Sequence, residues 1–209
     1  LFIVATPALN RIVEWNEAMN LPEALYNIEQ WMRQQENAAT KITEQILQVN
    51  SFSHFLAVIF GIGILTGIGE EMIFRGVLQR IVQDKNHRAH VAVWICAFLF
   101  SAIHLQFYGF IPRLLLGAFF GYLLVWSKNL WLPIFAHLFN NSTVACISYF
   151  TNDKSPDNLI ETVGTSGSPT SWLAGASLIG TVILLYVLYK KVFVSKSKEF
   201  FPMEDKITP

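Results

Sequence analysis

The sequence predicts an all-α fold: a polytopic transmembrane helix bundle with an amphipathic helix preceding the core. Three observations carry that expectation. Of 209 residues, 53% are hydrophobic and only 14% are charged, where a soluble domain carries about 25% charged residues. Mean hydropathy is +0.40. Long apolar runs recur along the chain, separated by short charged stretches. Formal net charge is zero, so no nucleic-acid partner is indicated. Cys96 and Cys146 fall inside apolar runs without zinc-ligand spacing, which assigns them to packing.

The elements follow in chain order. Residues 1–9 read as the end of a truncated membrane helix, with an N-terminal piece expected before Leu1 and no signal peptide indicated. In residues 22–50, Leu25, Ile28, Met32, Ala39, Ile42, Ile46 and Val49 recur at helical spacing, with Glu23, Glu29, Arg33, Glu36, Lys41 and Glu44 between them. That pattern is an amphipathic helix lying on the membrane or against the other helices, too polar to span. Five spans follow: A over about 52–81, B over 90–107, C over 112–126, D over 130–150 and E over 171–194. Residues 152–170 form a polar loop, and a charged tail follows Val194. Three parts result: 1–50 with the helix end and interfacial helix, 51–151 as the core, and 152–209 with loop, last span and tail.

Basic residues set the orientation. Arg80, Lys85, Arg88, Lys128, Lys190, Lys191, Lys196 and Lys198 fall on one side if the spans alternate. Arg113, Lys154, Arg11, Arg33 and Lys41 fall on the other. The A–B connection and the tail are therefore expected in the cytoplasm.

Ionisable residues cost about 2.5–3.5 kcal/mol each at a span centre, and those present mark function or line a cavity. The spans carry Glu70, Glu71 and Arg75 in A, His104 in B, and His137 with Asn141 in D. At about 1.5 Å rise per residue, all three groups reach a similar depth. Glu71 and Arg75 stand at i, i+4 with the acid first, the order that favours a structural ion pair. Glu70 is rotated about 100° away, and a desolvated spare carboxylate suits a general base. His104 matches its depth. His137 and Asn141 lie one turn apart and both can donate hydrogen bonds, which suits an oxyanion site. Polar links between helices are the alternative for each. Phe100, one turn before His104, packs beside it. Gly63 with Gly67 and Gly117 with Gly121 are pairs that permit close helix approach.

"EEMIFRG" (70–76), "FSAIH" (100–104) and "HLFNN" (137–141) resemble the EExxxR, FxxxH and HxxxN motifs of the CAAX protease and bacteriocin-processing (Abi) family. That family of intramembrane endopeptidases is related to the type II CAAX prenyl endopeptidase. The resemblance covers roughly residues 55–150 and implies a glutamate-type peptidase without a cofactor. Glu70 and His104 would activate water, His137 and Asn141 would hold the oxyanion, and Glu71, Arg75 and Phe100 would support the site. A zinc peptidase using Glu70, His104 and His137 as ligands is the alternative; HExxH is absent, so the metal-free reading is favoured. The partners implied are membrane lipid and a peptide or protein substrate, lipidated in some members. The implied location is a bacterial inner membrane, with the site open to the cytoplasmic side. A non-enzymatic immunity or scaffold protein is the remaining reading.

Overall fold

The computed structural model describes residues 1–86, 88–151 and 162–190, and seven helices account for most of these described residues. Among the described residues there is no strand. Residues 152–161 of the expected polar loop, His87 and the residues after Lys190 lie outside the described residues. Helix α1 is Phe2–Glu17, and α2 is Tyr26–Leu47 with the single 3-10 turn Glu23–Leu25 before it. The rod α3 is continuous through Phe52–Val58, Ile59–Thr66, Gly67–Glu71, Met72–Leu78 and Gln79–Asn86. Then come α4 (Ala89–Ala102), α5 (Phe110–Ser127), α6 (Trp131–Thr151) and α7 (Leu173–Val187).

Local chemistry sets the boundaries. Ser51 caps α3 by accepting the His54 amide at 3.2 Å. Lys128, left-handed at φ 54°, ends α5, and Asn129 Oδ1 then accepts the Trp131 amide at 3.0 Å to start α6. Helix α2 keeps its amphipathic character and buries no residue. Its Glu29 carboxyl is held below the usual carboxylate range, first by the Arg33 guanidinium and then by the Leu21 amide.

Helices α3 to α6 form the core in alternating directions. Arg75 and Gln79 of α3 lie level with Gly117 and Gly121 of α5, bonding their carbonyls at 2.6 and 3.2 Å. The two helices therefore run parallel. Phe100 and Ala97 of α4 meet Gly117, and Val93 meets Gly121, so α4 runs the other way. On α6, Leu138 lies against Gly67 and Ser142 against Gly63, so α6 also opposes α3. Both glycine pairs thus sit where helices approach closely, as the sequence predicts. A Cβ at Gly67 would stand 3.2 Å from the Leu138 backbone nitrogen. The buried cluster of Val93, Ala97 and Ala118 lies between α4 and α5.

Helix α1 packs against α7 beside this core. Pro7 interrupts the hydrogen-bond ladder of α1, and Ser177 of α7 occupies the break. Its hydroxyl donates to Val4 O at 2.5 Å and accepts the Ala8 amide at 3.2 Å. Gly164, at φ +88°, crosses Pro7 so closely that any side chain there would strike the Pro7 carbonyl.

The span expectations are met in part. Among the described residues, three helices are long and apolar enough to cross a membrane: Phe52–Gln83, Phe110–Ser127 and Leu173–Lys190. Helix α6 has the length but carries His137, Asn140, Asn141, Ser142 and Thr143. Span B stops at Ala102 rather than residue 107, because Leu105 turns left-handed at φ 54°. Fourteen residues rise about 21 Å, short of a bilayer core of about 30 Å.

Candidate active site

Local geometry in α3 separates its two acids. Gly67–Glu71 is an α-helical turn set between two π-helical stretches, Ile59–Thr66 and Met72–Leu78. Such wide turns re-aim side chains and recur at functional sites. Glu71 points into the bundle, where its side chain and that of Arg75 are fully buried. Glu70 points elsewhere and stays 25% exposed.

Glu71 is engaged twice on one oxygen. Its Oε1 accepts from Arg75 Nη1 and from His137 Nδ1, each at 2.9 Å. Arg75 Nη2 then donates to Gly117 O at 2.6 Å. The guanidinium carbon lies 4.9 Å from the centre of the Phe100 ring and 5.5 Å from that of Phe120, so aromatic faces supply much of the solvation that water would otherwise give. His137 stacks on Phe120 with centroids 4.8 Å apart and planes 20° apart. Phe100 presents its ring to His104 at 5.1 Å and to His137 at 5.9 Å.

His104 is not inside span B. It stands two residues past the end of α4, in a turn, and its Nδ1 bonds Phe100 O at 2.6 Å. A carbonyl only accepts, so that nitrogen carries a proton, and in the neutral ring Nε2 is left to accept. The same argument applies to His137, whose Nδ1 faces the Glu71 carboxylate. Both Nε2 atoms look toward Glu70: His104 at 3.9 Å from Oε1, and His137 at 3.8 Å from Oε2. Neither distance is a direct hydrogen bond. Each is short enough for one shared small molecule to bridge.

The structure therefore brings Glu70, His104 and His137 together, with Glu71, Arg75 and Phe100 beneath them. Asn141 is placed one turn beyond His137, and its Nδ2 donates to Ile62 O at 3.1 Å, in the first π-helical stretch. That bond ties α6 to α3. As placed, no three His, Cys, Asp or Glu side chains among the described residues converge into a metal-holding group.

Sequence reasoning missed Gln79 and Phe120. Gln79 is fully buried and donates to Gly121 O. Its signal was present in the spacing, since Glu71, Arg75 and Gln79 form an i, i+4, i+8 polar stripe along one helix face. Phe120 had no such signal, because one aromatic residue in an apolar run resembles another.

The family model described as "Type II CAAX prenyl endopeptidase Rce1-like" matches residues 52–143, from the start of α3 to the middle of α6. This stretch is similar to the Rce1-like family. All the residues of the cluster, from Glu70 to Asn141, lie inside it. The chain is also similar to Uncharacterized protein YpbD of Bacillus subtilis (strain 168), 29% identical over 109 residues, covering 50% of this chain and 51% of that protein. The chain thus spans about half the length of the curated relative it matches. No solved structure matches it. The Rce1-like match fits a hydrolase of the CAAX prenyl protease type, and the three apolar helices fit a membrane protein.

Removing Arg75 should damage the fold before anything else. Arg75→Ala leaves Glu71 buried against His137 without its cation, which costs about 3–5 kcal/mol for a fully buried pair. Glu70→Ala, at a partly exposed position without a direct bond, should cost well under half of that. Thermal unfolding in detergent orders the two; a lower midpoint for Glu70→Ala would reverse the assigned roles.

Proposed function

We propose that this chain carries the catalytic core of an intramembrane endopeptidase, in which Glu70 and His104 activate a water for attack on a peptide carbonyl. The observation that carries this reading is the convergence of two imidazole Nε2 atoms and one partly open carboxylate, at 3.8 and 3.9 Å, on one small space. A water there donates one hydrogen to His104 Nε2 and the other to Glu70. Glu70 takes the proton as oxygen attacks the scissile carbon, and the proton then passes to the departing amine. The oxyanion falls to His137 and Asn141. For this His137 must be doubly protonated, because its Nδ1 proton is already given to Glu71. Asn141 can use the second hydrogen of the amide that holds Ile62 O. Lipid surrounds the site, and the substrate is a peptide or protein segment that reaches it within the membrane.

Glu70→Gln keeps shape and hydrogen bonding but removes the base. In reconstituted vesicles it should lower peptide hydrolysis by about 10²–10⁴-fold, and substrate-trapping proteomics should find products only with the wild type. Full function in Glu70→Gln would favour the scaffold reading.

Zinc is the second reading, and one observation favours it. Both histidines direct Nε2 at Glu70 while Nδ1 rests on an acceptor, which is how zinc-binding histidines are oriented. The ligands would be Glu70, His104 and His137, and bound zinc would supply a water acidified towards neutrality. Glu71, committed to Arg75 and His137, would then be the nearest carboxylate left as base. The metal-free scheme gives each polar residue one task. Purified protein should accordingly hold far less than one zinc per chain and keep its activity in chelator. One tightly held zinc, with activity lost on removal and restored on return, would overturn the metal-free scheme.

The same reading places the basic α3–α4 connection and Lys128 on the cytoplasmic face of a bacterial inner membrane. His137 then lies six residues, about 9 Å, inside that end of α6, which supports entry from the cytoplasm. His104, in the loop at the other end of α4, stands against it. In intact cells a cysteine at position 128 should resist a membrane-impermeant maleimide and one at 106 should react. The reverse pattern would turn the molecule over.

A further inference from the structure

The position of His104 depends on a loop, and residues outside the Rce1-like segment hold that loop. His104 stands one residue before Leu105, where the chain turns left-handed and helix geometry ends. Its ring goes where residues 103–109 carry it. Within the matched segment this loop is tied by Ser101 Oγ to Phe110 O at 2.8 Å and by Arg113 to the Gln106 side chain at 2.6 Å.

The remaining ties come from α1 and α2. Asn16, at the end of α1 and only 3% exposed, uses both ends of its amide on the loop and the start of α5. Its Nδ2 donates to Phe107 O at 3.1 Å, and its Oδ1 accepts the Ile111 amide at 2.8 Å. From α2, Glu36 Oε2 accepts the Tyr108 amide at 3.0 Å. Arg33 covers the Tyr108 ring at 4.5 Å, and Trp31 packs on Phe107 with centroids 5.4 Å apart. A helix that buries none of its own residues nonetheless places three side chains on two adjacent loop residues. At its far end, Leu47 O accepts from Ser148 of α6 at 2.7 Å. Helix α2 therefore straps the His104 loop to the end of the helix that carries His137.

We propose that the two N-terminal helices form a clamp that positions His104, with Asn16 and Glu36 as positioning residues. This rests on the peptidase reading for its consequence, though not for its geometry. A water-activating histidine must be held closely, and displacement by about 1 Å can cost up to 10²-fold in rate. The function of Glu36 here is as an acceptor for one amide, so a neutral acceptor of the same length serves as well.

The test compares the wild type with Glu36→Ala, Glu36→Gln and Asn16→Ala in intact protein. Three quantities are read: exchange of the Tyr108 amide, carbethoxylation of His104 by mass spectrometry, and kcat and KM separately. Glu36→Ala should speed exchange and labelling and lower kcat by about ten- to a hundredfold at nearly constant KM. Glu36→Gln should restore all three. Asn16→Ala should have a larger effect of the same kind; where it fails to fold, the Glu36 pair decides. Unchanged exchange and labelling in Glu36→Ala overturns the clamp. Accelerated exchange with unaltered His104 labelling and kcat also overturns it, as does equal damage by Glu36→Gln. A wild type that hydrolyses no peptide sinks the peptidase reading, while exchange and labelling still decide the clamp.

Discussion

Everything at the centre of this protein hangs on one carboxylate oxygen. Glu71 Oε1 binds the Arg75 guanidinium and the His137 imidazole at the same 2.9 Å, in a place sealed from solvent. A buried ion of either sign is tolerated only when paired and hydrogen-bonded. Arg75 therefore needs Glu71, the Gly117 carbonyl and the surrounding aromatic faces together. That need draws α3, α5 and α6 to one point, and glycine at 117 lets the backbone come close enough. The adjacency of the two acids is thereby explained. One is consumed in holding the helices and orienting a histidine. Its neighbour, turned about 100° along the helix, is left partly open.

The helices divide the labour around that point. The Rce1-like stretch of α3 to α6 contains both histidines, both acids and the arginine. The N-terminal pair adds no group to the cluster but touches the loop on which one histidine stands. Helices α1 and α7 pack together through Ser177, whose hydroxyl mends the ladder broken by Pro7. In a lipid setting such hydroxyl bridges matter because little else can satisfy a freed backbone group.

Much of the site was legible before any fold was known. Charged and imidazole groups are costly in apolar runs, so Glu70, Glu71, Arg75, His104 and His137 drew attention by their mere presence. The i, i+4 ion pair was readable because helix geometry alone makes it. The helical class followed from apolar run length, and the glycine pairs correctly marked close approaches. His104 was harder. Its apolar neighbours look like a span, and only the left-handed Leu105 shows that the helix has ended before it. The same blindness hid how short α4 is.

The sequence by itself determined which residue types had to find partners, because a charged or imidazole group in an apolar run loses water and must be paired. It also determined the helical repeat that sets Glu71 and Arg75 on one face. Only the tertiary structure decided which partner each group obtained. The His137 bond to Glu71, the Gly117 carbonyl under Arg75, and the approach of Asn16 and Glu36 to the His104 loop each join residues at least 42 positions apart. No local periodicity encodes those meetings. The first two arise because the core helices must bury their polar groups against one another in a medium that offers almost no other hydrogen bonds.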